Sequence, residues 1–170
     1  MSYTRASLPP GLGPGHTLSI VQHNCLGSWD VLLSLCNLFA SAKNLPLIGC
    51  LQDPPVWRNR LPSYSGFTSF APSATVRRSR VAFYVFRLLI DMTTITPMFT
   101  GRSDMATLEI TAPSIFGTTV ERIHIINCYS VWGKTITERT IAPTPALPPP
   151  SFPTLVVAHF NLHHPSADPL

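Results

Sequence analysis

At 170 residues the chain has the length of one domain, and a complete domain of that size buries roughly 70% of its unfolded surface. Charged residues make up only 12% of it, about half the usual share, and mean hydropathy is +0.21, low charge for a free-standing soluble protein. The four cysteines have no CxxC spacing and sit mostly in apolar runs, which argues against a secreted disulfide scaffold; no apolar run approaches the ~18 residues of a membrane span.

The net charge of +4 comes from twelve Lys and Arg against eight Asp and Glu, and ten of the twelve are Arg. Arg matches phosphate bidentately, so the balance permits a nucleic-acid partner and equally an ordinary basic surface. The first residues hold a lone Arg5 and then Pro and Gly, without an apolar signal-peptide core. A nuclear or cytoplasmic setting is therefore expected, not a secreted one.

Taken in chain order, residues 1–16 are rich in Pro and Gly and read as a flexible lead-in. "TLSIVQHN" (17–24) alternates as a strand does. Ser28 then caps a helix running to about Lys43, with Asp30 in its first turn and Leu32, Leu35, Cys36 and Phe39 as its apolar stripe. "LPLIGCLQD" (45–53) is a continuous apolar run stopped by Pro54 and Pro55, which predicts a βαβ start with the strand buried on both faces.

"RVAFYVF" (80–86) is β-branched and aromatic, and "MATLEIT" (105–111) alternates with Ala106, Leu108 and Ile110 on one face. "RIHIINCY" (122–129) and "TLVVAHFN" (154–161) complete six predicted strands. Between those two lies "IAPTPALPPPSFP", whose six prolines predict an extended connection over 142–153.

Four of these strands end in hydrogen-bonding groups: Gln22 to Asn24, Gln52 to Asp53, Asn127 to Tyr129, and His159 to Asn161. Strand ends that converge in a mixed sheet make a polar rim over an apolar floor, the usual setting of a site.

In that order, "IVQHNCLGSWD", "LQDPPVWRNRLPSYSGF", "RVAFYV", "IINCYSVWG" and "LVVAHFNLHHPSADPL" resemble the endonuclease/exonuclease/phosphatase superfamily. The likeness is to the apurinic-like endonuclease domain of non-LTR (LINE-type) retrotransposons, over residues 18–170. The resemblance implies an α/β fold, part of a four-layer α/β/β/α sandwich with mixed, largely antiparallel sheets, over residues 17–170. It also implies a DNA-nicking phosphodiesterase dependent on Mg²⁺, with Mn²⁺ as a substitute, and a reverse transcriptase region in a fuller element.

By the same resemblance Asn24 and Asp53 are the metal ligands. Tyr129 hydrogen-bonds near the scissile phosphate, and Asn161 helps stabilise the charged phosphorane. A hard cation with oxygen ligands suits that substrate. Arg58 and Arg60 after the second strand, and Arg77, Arg78 and Arg80 before the third, are the candidates for gripping the DNA backbone. Their alternative is a solvated charge run. Trp57 and Trp132 are expected to be buried against the sheet rather than stacked on bases.

The chain departs from the family pattern in three ways. Where the family motif has Gly-Asp, with the Asp orienting the attacking water, this sequence has Ala158-His159. Loss of such a group costs about 10²–10⁴-fold in rate. His159 with His163 and His164 forms an H-x₃-H-H cluster, read as a solvated or hydrogen-bonded group in preference to a zinc site. Asp53 stands where many members carry the longer Glu. Finally, a fuller family domain continues into further strands ending in an Asp-His pair. This chain is accordingly expected to be the N-terminal portion, poorly soluble and impaired or inactive alone. The alternatives are a non-catalytic nucleic-acid-binding remnant and a decayed reading frame.

Overall fold

The structure, a computed structural model, describes residues 2–6, 18–41, 47–58, 60–72, 78–99, 101–112, 121–129 and 153–159. Among these, nine strands and two helices follow one another: β1 (Ser2–Ala6), β2 (Leu18–Asn24), α1 (Trp29–Ser41), β3 (Leu47–Gln52), β4 (Phe67–Phe70), β5 (Val81–Phe86), α2 (Arg87–Met92), β6 (Thr94–Met98), β7 (Met105–Ala112), β8 (Glu121–Tyr129) and β9 (Thr154–His159).

They form two mixed sheets, one ordered β1-β2-β3-β5-β4 and the other β6-β7-β8-β9. Five strand pairs are antiparallel; only β2 with β3 and β8 with β9 run parallel. The class is α/β.

The expected βαβ start is present. Ser28 begins α1 as its sequence suggests: its Oγ accepts from the Val31 amide at 3.4 Å, and its carbonyl accepts from Leu32 at 3.3 Å. The helix then buries Leu32, Leu35, Cys36 and Phe39, the predicted stripe. Those side chains share a core with Val21, Leu47, Leu51 and Tyr84 from one face of the first sheet. Gly49 is what lets the helix come close. A Cβ there would lie 2.8 Å from the Phe39 ring, which instead rests directly on the strand. Burying a ring the size of Phe39 is worth about 2–3 kcal/mol.

The other face of the same strands meets the second sheet. Leu18, Ile20, Ile48, Cys50, Val81, Phe83 and Val85 form one cluster with Ala106, Leu108, Ile110, Ile123, Ile125 and Val157. Central β3 is therefore buried on both faces, which is why its sequence is continuously apolar and does not alternate. Strands β7 and β8 send alternate residues into this cluster, as the period of two in "MATLEIT" predicts, while Thr107, His124 and Ile126 on their other face are buried as well.

Four elements escape the sequence reading. Within the lead-in read at 1–16, residues 2–6 are strand β1, pairing antiparallel with β2 from Ser2↔Gln22 to Ala6↔Leu18. The open edge of β2 presents unpaired amides and carbonyls, and this satisfies them. Strand β4 has only four residues, too few for periodicity to register. Strand β6 carries Pro97, which demotes a strand on paper; it is tolerated because β6 is at a sheet edge. Helix α2 is a six-residue turn whose Leu89 inserts into the core between the sheets. Most of the Pro-rich connection at 142–153 lies outside the described residues. No described helix is long and apolar enough to cross a membrane.

Candidate functional site

The inward-facing positions of four strands change from apolar to polar at the same end. In β2, Leu18 and Ile20 lead to Gln22; in β3, Ile48 and Cys50 lead to Gln52; in β8, Ile123 and Ile125 lead to Asn127 and Tyr129; in β9, Leu155 and Val157 lead to His159. A period of two keeps all of these on the face between the sheets. Parallel pairing sets Asn24 opposite Gln52 and Tyr129 opposite His159. The strand ends do converge.

The first polar layer is a lock. Gln52 Nε2 donates to Asn127 Oδ1 at 2.6 Å across the sheets, and Asn127 Nδ2 donates to the carbonyls of Leu51 at 3.0 Å and Ala82 at 2.9 Å. Gln22 Nε2 donates to the Ala158 carbonyl at 2.8 Å and, less closely, to Gln52 Oε1 at 3.4 Å. Gln52 and Asn127 are fully buried. Buried amides that find their partners in this way hold two sheets in one register, since a slip would strand every one of them.

Above it lies a rim. Asp53 follows β3 in a left-handed conformation (φ 44°), with its amide donating to the Arg80 carbonyl at 2.7 Å. Its side chain is 15% exposed, and Oδ1 accepts from Arg80 Nη1 at 3.0 Å, with Arg78 Nη2 at 3.7 Å. The Arg80 guanidinium lies 5.5 Å from the centre of the Tyr129 ring, a cation–π distance. Tyr129 in turn stacks on His159, ring centres 5.9 Å apart and planes 12° from parallel. Asp53, Arg80, Tyr129 and His159 thus form one line of contacts from the first sheet to the second.

The loop after β2 closes on this line. Leu26 and Gly27, both at positive φ, form the centre of a turn in which Ser28 donates to the Cys25 carbonyl at 2.8 Å. Gly27 donates to the Asp53 carbonyl at 2.7 Å. A Cβ on Gly27 would sit 2.8 Å from Arg78 Nη2, so glycine here leaves the space in which Arg78 crosses to the Pro54 carbonyl, 2.8 Å away. Asn24 Oδ1 accepts from the Leu26 amide at 3.1 Å.

Arg102 pairs with Asp104 through both carboxylate oxygens, at 2.9 and 3.0 Å, and the Asp104 carbonyl accepts from the Tyr129 amide at 2.9 Å. Nearby Cys25 is no nucleophile at neutral pH: burial pushes its thiol up to about 12.

Of the residues read from the sequence, Asp53, Tyr129, His159, Arg78 and Arg80 come together, and Asn24 ends its strand beside them. Asn161, Arg77, His163, His164 and Trp132 lie outside the described residues. Arg58 and Arg60 belong to a turn of their own, where Trp57 donates to the Arg60 carbonyl at 3.0 Å and Arg60 returns the bond at 2.9 Å. Trp57, expected to be buried against the sheet, is 64% exposed instead.

On the sequence Gln22, Gln52 and Asn127 count as part of the rim; the structure buries Gln52 and Asn127 beneath it and leaves Gln22 half-buried at their side. The missed signal is their position, two residues beyond the last apolar inward-facing side chain of each strand.

Asn24 and Asp53 offer oxygens, the right donor type for a hard divalent cation. Among the described residues, no three His, Cys, Asp or Glu side chains group around one point. Arg80 and Arg78 both contact Asp53 Oδ1, so a cation there would have to use Oδ2 beside two guanidinium groups or displace one of them. No family model matches the chain, and no curated protein matches it.

Proposed function

We propose that the chain is of endonuclease/exonuclease/phosphatase lineage: a Mg²⁺-dependent phosphodiesterase domain of retrotransposon type that nicks DNA, with activity impaired on its own. The single observation supporting this is the line of contacts Asp53–Arg80–Tyr129–His159 at the shared end of β2, β3, β8 and β9. In the proposal the two sheets are the inner layers of a four-layer α/β/β/α sandwich, with α1 in one outer layer.

In this reading Asp53 and Asn24 are the residues that hold the cation. Bound there, Mg²⁺ would supply Lewis-acid polarisation of a phosphoryl oxygen. Arg78 and Arg80 bind the flanking phosphate through their guanidinium forks. Tyr129, fixed between Arg80 and His159, directs its hydroxyl at the same phosphate. His159 takes the position of a water-orienting carboxylate with an imidazole, which accepts a proton only when neutral and has no fixed negative charge. That deficit is one physical source of the impairment.

Nicking of supercoiled plasmid tests the reading. Slow Mg²⁺-dependent conversion to open circle is expected, abolished by EDTA and by Asp53→Ala and accelerated by His159→Asp. Conversion indifferent to all three treatments would dispose of it.

A second reading, a nucleic-acid-binding remnant without catalysis, is favoured by the Arg80 contact on Asp53, which neutralises the expected ligand. It predicts salt-dependent DNA binding that survives both EDTA and Asp53→Ala.

A further inference from the structure

Residues outside the rim form a concave surface. A cleft of about 590 Å³ is lined by Trp29, Trp57, Arg58, Arg60, Leu61 and Pro62. This volume falls in the ~300–1,000 Å³ range of small-molecule sites. The lining is unusual for solvent-facing surface in a chain with only three tryptophans: two of them are here, 41% and 64% exposed. Exposed indoles beside cations suit a ligand with a flat face and a negative charge.

The walls are built rather than loose. Trp29 is the first residue of α1, held by the Ser28 cap. Trp57 and Arg60 exchange two backbone bonds, and Arg58 between them has φ 49°, a conformation non-glycine residues rarely adopt. The Arg58 guanidinium lies 5.8 Å from the Trp57 ring centre. Behind the turn, the Pro62 carbonyl accepts from Tyr84 Oη at 2.6 Å, and Tyr64 Oη donates to Asn37 Oδ1 on α1. Residues 60–64 are thus fastened to both the sheet and the helix.

We propose that this cleft binds unpaired nucleotides of a single-stranded nucleic acid, a base stacking on the indoles of Trp29 and Trp57 and the adjoining phosphate resting on Arg58 and Arg60. Duplex bases are already stacked on one another and cannot present a face, so the site discriminates by strandedness, not by sequence. An uncharged Pro-rich peptide also suits aromatic clefts, but would leave both guanidinium groups without a counter-charge. The inference goes beyond the phosphodiesterase reading and stands without it, since it uses neither Asp53 nor a metal.

The test is fluorescence anisotropy with labelled oligothymidine and with a duplex of equal length, both in EDTA, on the whole chain. Trp29→Ala or Trp57→Ala is expected to weaken oligothymidine binding by about 5- to 150-fold, the cost of losing one stacked base, and to leave duplex affinity within about 2-fold. Trp57→Phe retains most of the affinity. Arg58→Ala with Arg60→Ala lowers the single-strand salt slope by about 1.4. Both tryptophans are exposed, and thermal melting confirms that each variant is folded. Equal losses on single strand and duplex, unchanged oligothymidine binding in folded variants, or displacement of oligothymidine by a neutral Pro-rich peptide would each overturn the proposal. Loss of nicking with these results intact would bear on the rim alone.

Discussion

Gln52 and Asp53 are neighbours in sequence, yet belong to regions with opposite logic. Gln52, fully buried, spends its amide on Asn127 of the facing sheet; Asp53, one residue on, turns its carboxylate to two arginines at the edge. The lock is uncharged and tied to three backbone carbonyls, those of Leu51, Ala82 and Ala158. The rim is made of charge and aromatic faces and is partly open to water. Neutral amides can be buried if every hydrogen bond is made, whereas burying ionised groups costs several kcal/mol each. The boundary between the two layers therefore falls where the chain leaves the core. The practical lesson is that the polar ends of these strands are not all candidates for chemistry.

Substitutions should separate the regions. The largest effect is expected in the lock: Asn127→Leu leaves the buried Gln52 Nε2 without its acceptor and removes the bonds that tie Asn127 to the Leu51 and Ala82 carbonyls. On the order of 3 kcal/mol should be lost, measured as a lower urea midpoint at unchanged m-value. A loss below about 1 kcal/mol would mean that the layer is not what aligns the sheets.

Alkali should act next, through the buried thiols beneath the rim. Burial raises Cys25 from 9.0 to about 12 and Cys36 to about 11. A folded value above the unfolded one means that stability is complete below about pH 9 and falls as pH rises toward the folded values. Unfolded thiols ionise through that window while folded ones do not. The slope expected is about 1.4 kcal/mol per pH unit for each thiol, and Cys25→Ala should flatten it by that amount between pH 9.5 and 11. Pre-steady alkylation at pH 7.5 should leave Cys25 unmodified until the protein unfolds.

At the rim, Arg80→Ala should change stability by less than about 1 kcal/mol, because the pair with Asp53 is partly exposed. It should lower the duplex-DNA salt slope by about 0.9 and raise Mn²⁺ affinity at Asp53, followed by electron paramagnetic resonance. A large stability loss here would merge the rim with the lock. The smallest effect belongs to His159→Ala, which removes the half-buried stack on Tyr129, worth about 0.5 kcal/mol, and should be visible mainly as altered Tyr129 fluorescence.

Much of this layout was written in local pattern. The α1 stripe of Leu32, Leu35, Cys36 and Phe39 follows from a 3.6-residue period. The burial of β3 on both faces follows from an uninterrupted apolar run, and the inward set Ala106, Leu108 and Ile110 from a period of two. Local pattern reaches no further than one element. Nothing in "SYTRA" announces a partner sixteen residues away, and Pro97 looks like a strand breaker until the sheet order puts it at an edge.

By itself, then, the sequence determined six of the strands and helix α1, which faces are apolar, and that four strands end in polar groups, because periodicity and propensity are properties of neighbouring residues. Tertiary structure alone decided that Gln52 and Asn127 lie inside while Asp53, Tyr129 and His159 form the edge. It also decided that Arg80 sits on the Asp53 carboxylate and that Trp29 and Trp57 share a cleft. Those outcomes depend on how two sheets face each other and where the burial of charge becomes too costly. Only contacts between residues distant in the chain can set them.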